Sequence, residues 1–205
     1  TVFVRGGQLV MDASIIFANT VGPVPVDVAH TAVDIQVSQG VTLTNGTLIL
    51  TQTSGPGRGG DVQITADSLT LENSSKITTE ASQRGLVGGD LSLNVGTLRL
   101  LGGSSIRSTN TTTGTDLNHD GKIDVTGVGG NITVQGTTPG TNSAADLVVL
   151  SGGSGITSDV STQGGGGGQI SIRANILDLD GASTTIKSST RASKIDLNGD
   201  GVVDT

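Results

Sequence analysis

Two stretches of the chain carry acidic side chains at a spacing that suits a hard cation. Residues 116–124 read DLNHDGKID and residues 196–204 read DLNGDGVVD, so both fit the pattern D-x-N-x-D-G-x-x-D. In a calcium-binding loop, side chains at positions 1, 3 and 5 and the carbonyl at position 7 supply oxygen ligands, position 9 often acts through water, and glycine at position 6 permits the sharp turn. The pattern predicts two calcium sites with these candidate ligands: Asp116, Asn118, Asp120, Lys122 and Asp124 in the first loop, and Asp196, Asn198, Asp200, Val202 and Asp204 in the second.

Only the backbone carbonyl is required of Lys122 and Val202, which stand at position 7. Position 12, where a bidentate carboxylate normally closes the site, is Gly127 in the first loop and would fall after Thr205 in the second. The alternative is a merely acidic turn. Three carboxylates within nine residues of the first loop would repel one another without a cation, which favours an ion.

The elements that must position these loops form a repeat. Pairs of glycines recur roughly every 26 to 40 residues, and the clearest unit is residues 59–79. Three short segments of alternating apolar and polar residues follow one another there, separated by Gly, Asn, Asp and Ser. This pattern is typical of strand, turn, strand, turn, strand.

Six such units are predicted, and in each the residues on one face of every strand are small and aliphatic. The first strand recurs as Val2/Val4, Ile35/Val37, Val62/Ile64, Leu91/Leu93, Ile132/Val134 and Ile170/Ile172. The second recurs as Leu9/Met11, Val41/Leu43, Leu69/Leu71, Leu98/Leu100, Leu147/Val149 and Leu177/Leu179. The third starts at Ile15, Leu48, Ile77, Ile106, Ile156 and Ile186, and its last four copies carry Thr79, Ser108, Ser158 and Ser188 two residues later.

Stacking the units places like above like, because alternating residues share one face of a strand. The expected fold is an all-β, right-handed parallel β-helix of about six rungs with three short strands each, without α-helix, and roughly 30 Å long. Residues 1–205 form one such segment, with corner insertions near 19–32, 110–128, 136–145 and 189–205. The acidic loops begin ten residues after Ile106 and Ile186, two rungs apart. Their separation of about 10 Å exceeds the ~3.5–4 Å of a dinuclear catalytic pair and indicates two independent structural ions.

Bulk composition excludes several kinds of partner. Net charge is −7 and the 11 Lys and Arg are scattered, so we expect no nucleic-acid binding. No apolar run reaches membrane-spanning length, and we expect no membrane insertion. Cysteine is absent, which excludes disulfides and thiolate metal sites. Phe3 and Phe17 are the only aromatic residues, which suits a narrow aliphatic interior.

Certain segments resemble a known family. Residues 59–79 (GGDVQITADSLTLENSSKITT) and 167–190 (GGQISIRANILDLDGASTTIKSST) resemble the repeats of filamentous-haemagglutinin-like exoproteins, the β-helical passengers of bacterial two-partner secretion. Residues 2–20 resemble a rung of such proteins as well. The resemblance implies a right-handed parallel β-helix exposed at a bacterial surface, acting as adhesin, stalk or fibre. The acidic loops resemble the calcium loops of dockerins, whose flanking helices are missing here.

Other residues with possible chemistry favour a non-catalytic protein. His30 and His119 are expected to be solvated, and the glycine run 164–168 is expected to be a flexible corner, because it lacks the Lys and Ser/Thr of a phosphate-binding loop. Pectate-lyase-like β-helices use calcium with a basic residue. The acidic loops here have no Arg or Lys in a shared groove pattern, and no Trp or Tyr is present to stack on a sugar. We expect no enzyme activity.

The sequence therefore predicts a calcium-stiffened structural rod of a bacterial surface or extracellular fibre. One alternative is an adhesin that binds a host or polymer surface through its corner loops; a polysaccharide-active enzyme is a third and weaker one. Neither end of the chain shows a polar cap, so we expect end-to-end self-association or continuation in a longer chain.

Overall fold

A computed structural model describes residues 1–22, 29–55, 57–82, 85–111, 127–138, 142–160 and 166–190. All regular structure in these ranges is β-strand, as the composition predicts. The described part of the chain has no helix that could span a membrane.

Eighteen strands follow one another in the described ranges. They are β1 (Val2–Gly6), β2 (Leu9–Asp12), β3 (Ile15–Thr20), β4 (Thr31–Val37), β5 (Gly40–Thr44), β6 (Leu48–Thr53), β7 (Gly57–Arg58), β8 (Asp61–Leu71), β9 (Lys76–Ala81), β10 (Gly85–Val87), β11 (Leu91–Leu100), β12 (Ser105–Asn110), β13 (Ile132–Gln135), β14 (Ala145–Ser151), β15 (Gly155–Val160), β16 (Ile170–Ile172), β17 (Ala174–Asp180) and β18 (Thr185–Thr190).

The strands stack in parallel into a β-solenoid of about five turns. One six-stranded sheet contains the third strand of every rung, in the order β18-β15-β12-β9-β6-β3. A ten-stranded sheet contains the first and second strands. The first and second strands are not always separate, since β8 and β11 each run through both positions. The predicted three-strand rung is therefore a two-strand rung at these two levels.

The core is a set of aliphatic columns between the two sheets. In the third-strand sheet, Ile77, Ile106 and Ile156 lie in register on neighbouring strands, and all three are fully buried. Leu69 and Leu98 form the equivalent pair in the second-strand position. Each such side chain contributes on the order of 1.5–3 kcal/mol when it is fully buried.

The predicted inward residues need correction in three rungs. Val148 and Leu150, rather than Leu147 and Val149, align with Leu98 and Leu100 and are buried. The reason is that residues 147–150 are all apolar, so alternation alone does not select the inward face.

The same ambiguity affects two third strands. Ile16 and Ile49 align with Ile77 and its successors, while Ile15 and Leu48 point outward. In the first strand of the second rung, Val33 and Ile35 are the register partners of Val2 and Val4, so the predicted pair Ile35/Val37 is displaced by two residues along the same face. Val37 is buried as well.

Tight turns join the second and third strands of the rungs. Two successive residues have positive φ, for example Asn45 and Gly46 at 54° and 73°. Glycine adopts this conformation freely, and asparagine tolerates it better than most residues do. The hydroxyl of the next residue donates to the carbonyl three residues before it at 2.7 Å, and this bond recurs at Thr47, Ser75, Ser104 and Ser154.

Candidate functional site

The glycine pairs form a corner where successive rungs approach very closely. A Cβ built on Gly89 would meet the carbonyl oxygen of Gly60 in the rung below, and one on Gly130 would meet that of Gly89. The same relation holds between Gly168 and Gly130. Because backbone occupies the space that a side chain would need, only glycine fits. The repeated Gly-Gly is thus a stacking requirement of the solenoid.

The hydroxyl side chains of the third strands hold this corner from inside. Thr51 donates to the carbonyl of Gly60 and Thr79 to that of Gly89, each at 2.6 Å. Ser108 donates to Gly89 at 3.1 Å and accepts from the amide of Gly130 at 2.9 Å. Ser158 and Ser188 donate to Gly130 and Gly168. These hydroxyls satisfy buried backbone groups, which would otherwise cost stability.

Outside the corner, a series of hydrogen bonds links one rung to the next, and we call it the Asp61-to-Gln169 ladder. The Asp61 carboxylate accepts a hydrogen bond from the amide of Asp90 at 2.7 Å. Asp90 accepts from the amide of Asn131 at 2.7 Å, and Asn131 accepts from the amide of Gln169 at 2.9 Å. Asp61, Asp90 and Asn131, which each follow a Gly-Gly pair, therefore each bind the amide of the equivalent residue in the next rung, a role that their recurring polar character could have indicated.

Arg58 pairs with both carboxylates of this ladder. Its guanidinium lies 2.9 Å from Asp61 and 2.6 Å from Asp90, and its side chain is 13% exposed. Burial raises the pKa of the Asp61 carboxyl, against the opposing effects of the Asp90 amide and of Arg58. For Arg58, burial lowers the pKa, but the two carboxylates outweigh it and the net direction is upward. Arg58, Asp61 and Asp90 therefore form an ion-pair network that joins two rungs beside the corner.

The outer face of the third-strand sheet carries an open groove of about 460 Å³. Strands β9, β12, β15 and β18 contribute its lining, which includes Thr78, Glu80, Arg107, Thr109, Asp159 and Lys187. These residues face outward because they alternate with the inward isoleucines and hydroxyls of the same strands.

Register fixes the order of the charges along the groove. One outward position carries Glu80, Thr109, Asp159 and Ser189 on successive strands, and the position two residues earlier carries Thr78, Arg107, Thr157 and Lys187. Successive strands therefore present a carboxylate, a cation, a carboxylate and a cation. Arg107 lies 3.9 Å from Asp159, and their side chains are 44% and 24% exposed.

Sequence reasoning did not find this groove. In the sequence the basic residues look scattered and form no groove pattern with the acidic loops, whereas in the structure Arg107 and Lys187 lie on the sheet face, beside carboxylates from other rungs. The available signal was the register, which brings together residues about 30 to 50 positions apart in the chain.

The residues of the two predicted calcium sites, 116–124 and 196–204, lie outside the described residues, as does His119. What the structure places is the strand before each loop. β12 ends at Asn110, β18 ends at Thr190, and β15 separates these two strands in the sheet. The calcium ligands stay predictions.

Two minor sequence predictions fall partly on described residues. His30 accepts a hydrogen bond from the amide of Asp61 through its backbone carbonyl. Within the glycine run, Gly167 and Gly168 form the corner pair of the last rung, and Gly168 packs against Gly130. At those two residues the run is therefore part of the stacked corner.

Among family models, curated proteins and solved structures, none matches the chain. The class that the coordinates define is the parallel β-solenoid. The resemblance to filamentous-haemagglutinin-like exoproteins stays a hypothesis about its relatives.

Proposed function

We propose that this chain is a structural rod, a segment of a bacterial surface or extracellular fibre that bears load and performs no catalysis. The observation that carries the proposal is the continuous stacking of its rungs. Strands pair in parallel from β3 to β18 without interruption, and the corner hydroxyls and the Asp61-to-Gln169 ladder repeat the same links from rung to rung. A solenoid of this kind distributes force over nearest-neighbour interfaces.

Calcium at residues 116–124 and 196–204 is the second part of the proposal. The strands that precede the two loops are two rungs apart, about 10 Å, which suits two separate ions. Extracellular modules bind calcium with dissociation constants of about 10⁻⁴–10⁻³ M. At about 1 mM calcium, each site would add roughly 0.4–1.4 kcal/mol, enough to order a corner but too little to create the fold.

An extracellular location follows from the same reasoning, because sites of this affinity fill where calcium is millimolar. The resemblance of residues 59–79 and 167–190 to repeats of bacterial exoproteins supports a place at a bacterial surface. Both statements belong to the proposal.

The last described rung supports association along the axis of the solenoid. In β17, Leu177 and Leu179 are inward-facing yet 47% and 48% exposed, because among the described strands β14 alone pairs with β17. Parallel strands with unpaired edges accept a further strand readily. We propose that another rung covers this face, from a longer chain or from a second copy.

Sedimentation velocity over a wide range of concentration tests the rod against the adhesin alternative. A rod segment is expected to form end-to-end species whose fraction rises with concentration and which electron microscopy shows as lengthened particles. Leu177→Lys/Leu179→Lys should abolish them, while Thr42→Lys, on the outer face of β5, should not. Monomers at every concentration would contradict the association and favour an adhesin acting alone.

A further inference from the structure

The groove on the outer face of β9, β12, β15 and β18 has features that a load-bearing rod does not require. Two arginines elsewhere in the described residues make close ion pairs, Arg5 with Asp34 at 2.7 Å and Arg58 with Asp61 and Asp90 at 2.9 and 2.6 Å, while Arg99 and Arg173 make none there. In the groove, the separation of 3.9 Å between Arg107 and Asp159 is too long for a hydrogen bond. Within the described part of the chain, Glu80 and Lys187 have no ion pair at all.

The charges of the groove also balance, although the chain as a whole carries −7. Two carboxylates, Glu80 and Asp159, alternate with two cations, Arg107 and Lys187. A polyanion would meet the carboxylates and a polycation would meet the cations, so neither is favoured along its whole length. The complementary ligand is a neutral one.

The polar atoms of the groove supply both donors and acceptors. Guanidinium and ammonium groups only donate, ionised carboxylates only accept, and hydroxyls do both. The hydroxyl of Ser189 already donates to Asp159 and that of Thr109 to the carbonyl of Thr79, so these two face a ligand as acceptors. Alcohol groups on a ligand also donate and accept, so each can bridge a cation and a carboxylate. Most pockets for small apolar ligands are lined chiefly by apolar side chains, which this groove is not.

The shape of the groove favours a chain over a compact molecule. It crosses four strands, which are spaced about 4.8 Å apart, and it is open to solvent on one side. We propose that it binds a neutral, hydroxyl-rich linear polymer, that is, an uncharged polysaccharide, with Arg107 and Glu80 as the main hydrogen-bonding residues. The contacts are hydrogen bonds without aromatic stacking, since the chain has no Trp or Tyr. This binding does not depend on the rod or on calcium, and it uses the sheet face instead of the corner loops.

Affinity electrophoresis of the full chain in gels containing soluble polysaccharides tests the proposal. The probes are three neutral polymers (dextran, galactomannan and a soluble β-glucan), the polyanion alginate and the polycation chitosan. Retardation by at least one neutral polymer is expected, with a loss of roughly ten- to hundredfold in affinity for Arg107→Ala and for Glu80→Ala. Lys76→Ala removes a cation from the same sheet outside the groove and should leave the affinity unchanged.

Far-ultraviolet circular dichroism and thermal unfolding of each variant confirm that the fold is retained, which is expected because Arg107 is exposed and Glu80 half-buried. Retardation that Arg107→Ala and Glu80→Ala do not weaken would overturn the assignment of the groove. Retardation by alginate or chitosan alone, or by none of the five polymers, would overturn the proposed ligand class.

Discussion

At the scale of single residues, two arginines form ion pairs in different surroundings. Arg58 lies between Asp61 and Asp90 at short distances and is largely buried, whereas Arg5 makes one ion pair with Asp34 from a side chain that is 45% exposed. Removing Arg58 leaves two carboxylates, Asp61 and Asp90, close together without a cation, whereas removing Arg5 leaves one, Asp34, whose side chain is 12% exposed. Although the ion-pair distances are similar, Arg58 should therefore contribute more to stability than Arg5 does.

The substitution Arg58→Gln is expected to lower the free energy of unfolding by about 3 kcal/mol, because Asp61 and Asp90 are left close together without a cation. The matched change Arg5→Gln should cost less, on the order of 1–2 kcal/mol, because it leaves one carboxylate without its cation rather than two adjacent ones. Urea denaturation of the two variants and the parent chain measures both. Similar losses in the free energy of unfolding for the two variants would contradict the view that Arg58 contributes more because it pairs with two carboxylates.

At the scale of the element, the Gly-Gly corner limits how the rungs stack. Gly89 is packed against Gly60 below and Gly130 above, and its carbonyl accepts hydrogen bonds from Thr79 and Ser108. Space, not backbone freedom, demands glycine here, since Gly89 is not among the residues with positive φ.

Gly89→Ala should therefore destabilise the fold by at least about 2 kcal/mol, because the new methyl group forces neighbouring rungs apart. Gly7→Ala is the control, since a Cβ at Gly7 meets no atom within 4 Å. Chemical denaturation of both variants compares them. If Gly89→Ala lowered the free energy of unfolding no more than Gly7→Ala does, the rungs would be less closely stacked at this corner than described.

The elements also show what the sequence can and cannot reveal. Alternation correctly identified the inward face where apolar and polar residues strictly alternate, as in residues 61–66 and 68–71. It chose the wrong face at Ile15, Leu48 and Leu147, each of which belongs to an unbroken apolar run. The charge order of the groove was available from the predicted alignment, because the register of Ile77, Ile106, Ile156 and Ile186 also aligns the outward residues beside them. The distance between Arg107 and Asp159 and the open space of the groove required the structure.

At the scale of the whole molecule, the proposed calcium loops would stabilise a solenoid that folds without them. The core columns and the corner bonds form among the described residues themselves. Loss of calcium should accordingly lower stability while the solenoid persists. Such behaviour would distinguish this chain from small domains that unfold completely without their metal.

Thermal unfolding of the 205-residue chain with and without millimolar calcium tests the central claim most directly, alongside the double variant Asp120→Ala/Asp200→Ala. We expect calcium to raise the midpoint by roughly 2–10 °C, from two sites of modest affinity. The double variant should lose this rise, while Asp67→Ala/Asp178→Ala, which removes two carboxylates outside the loops, should keep it. An unchanged midpoint with the fold intact, or a rise that the loop variant retains, would contradict the calcium-stiffened rod.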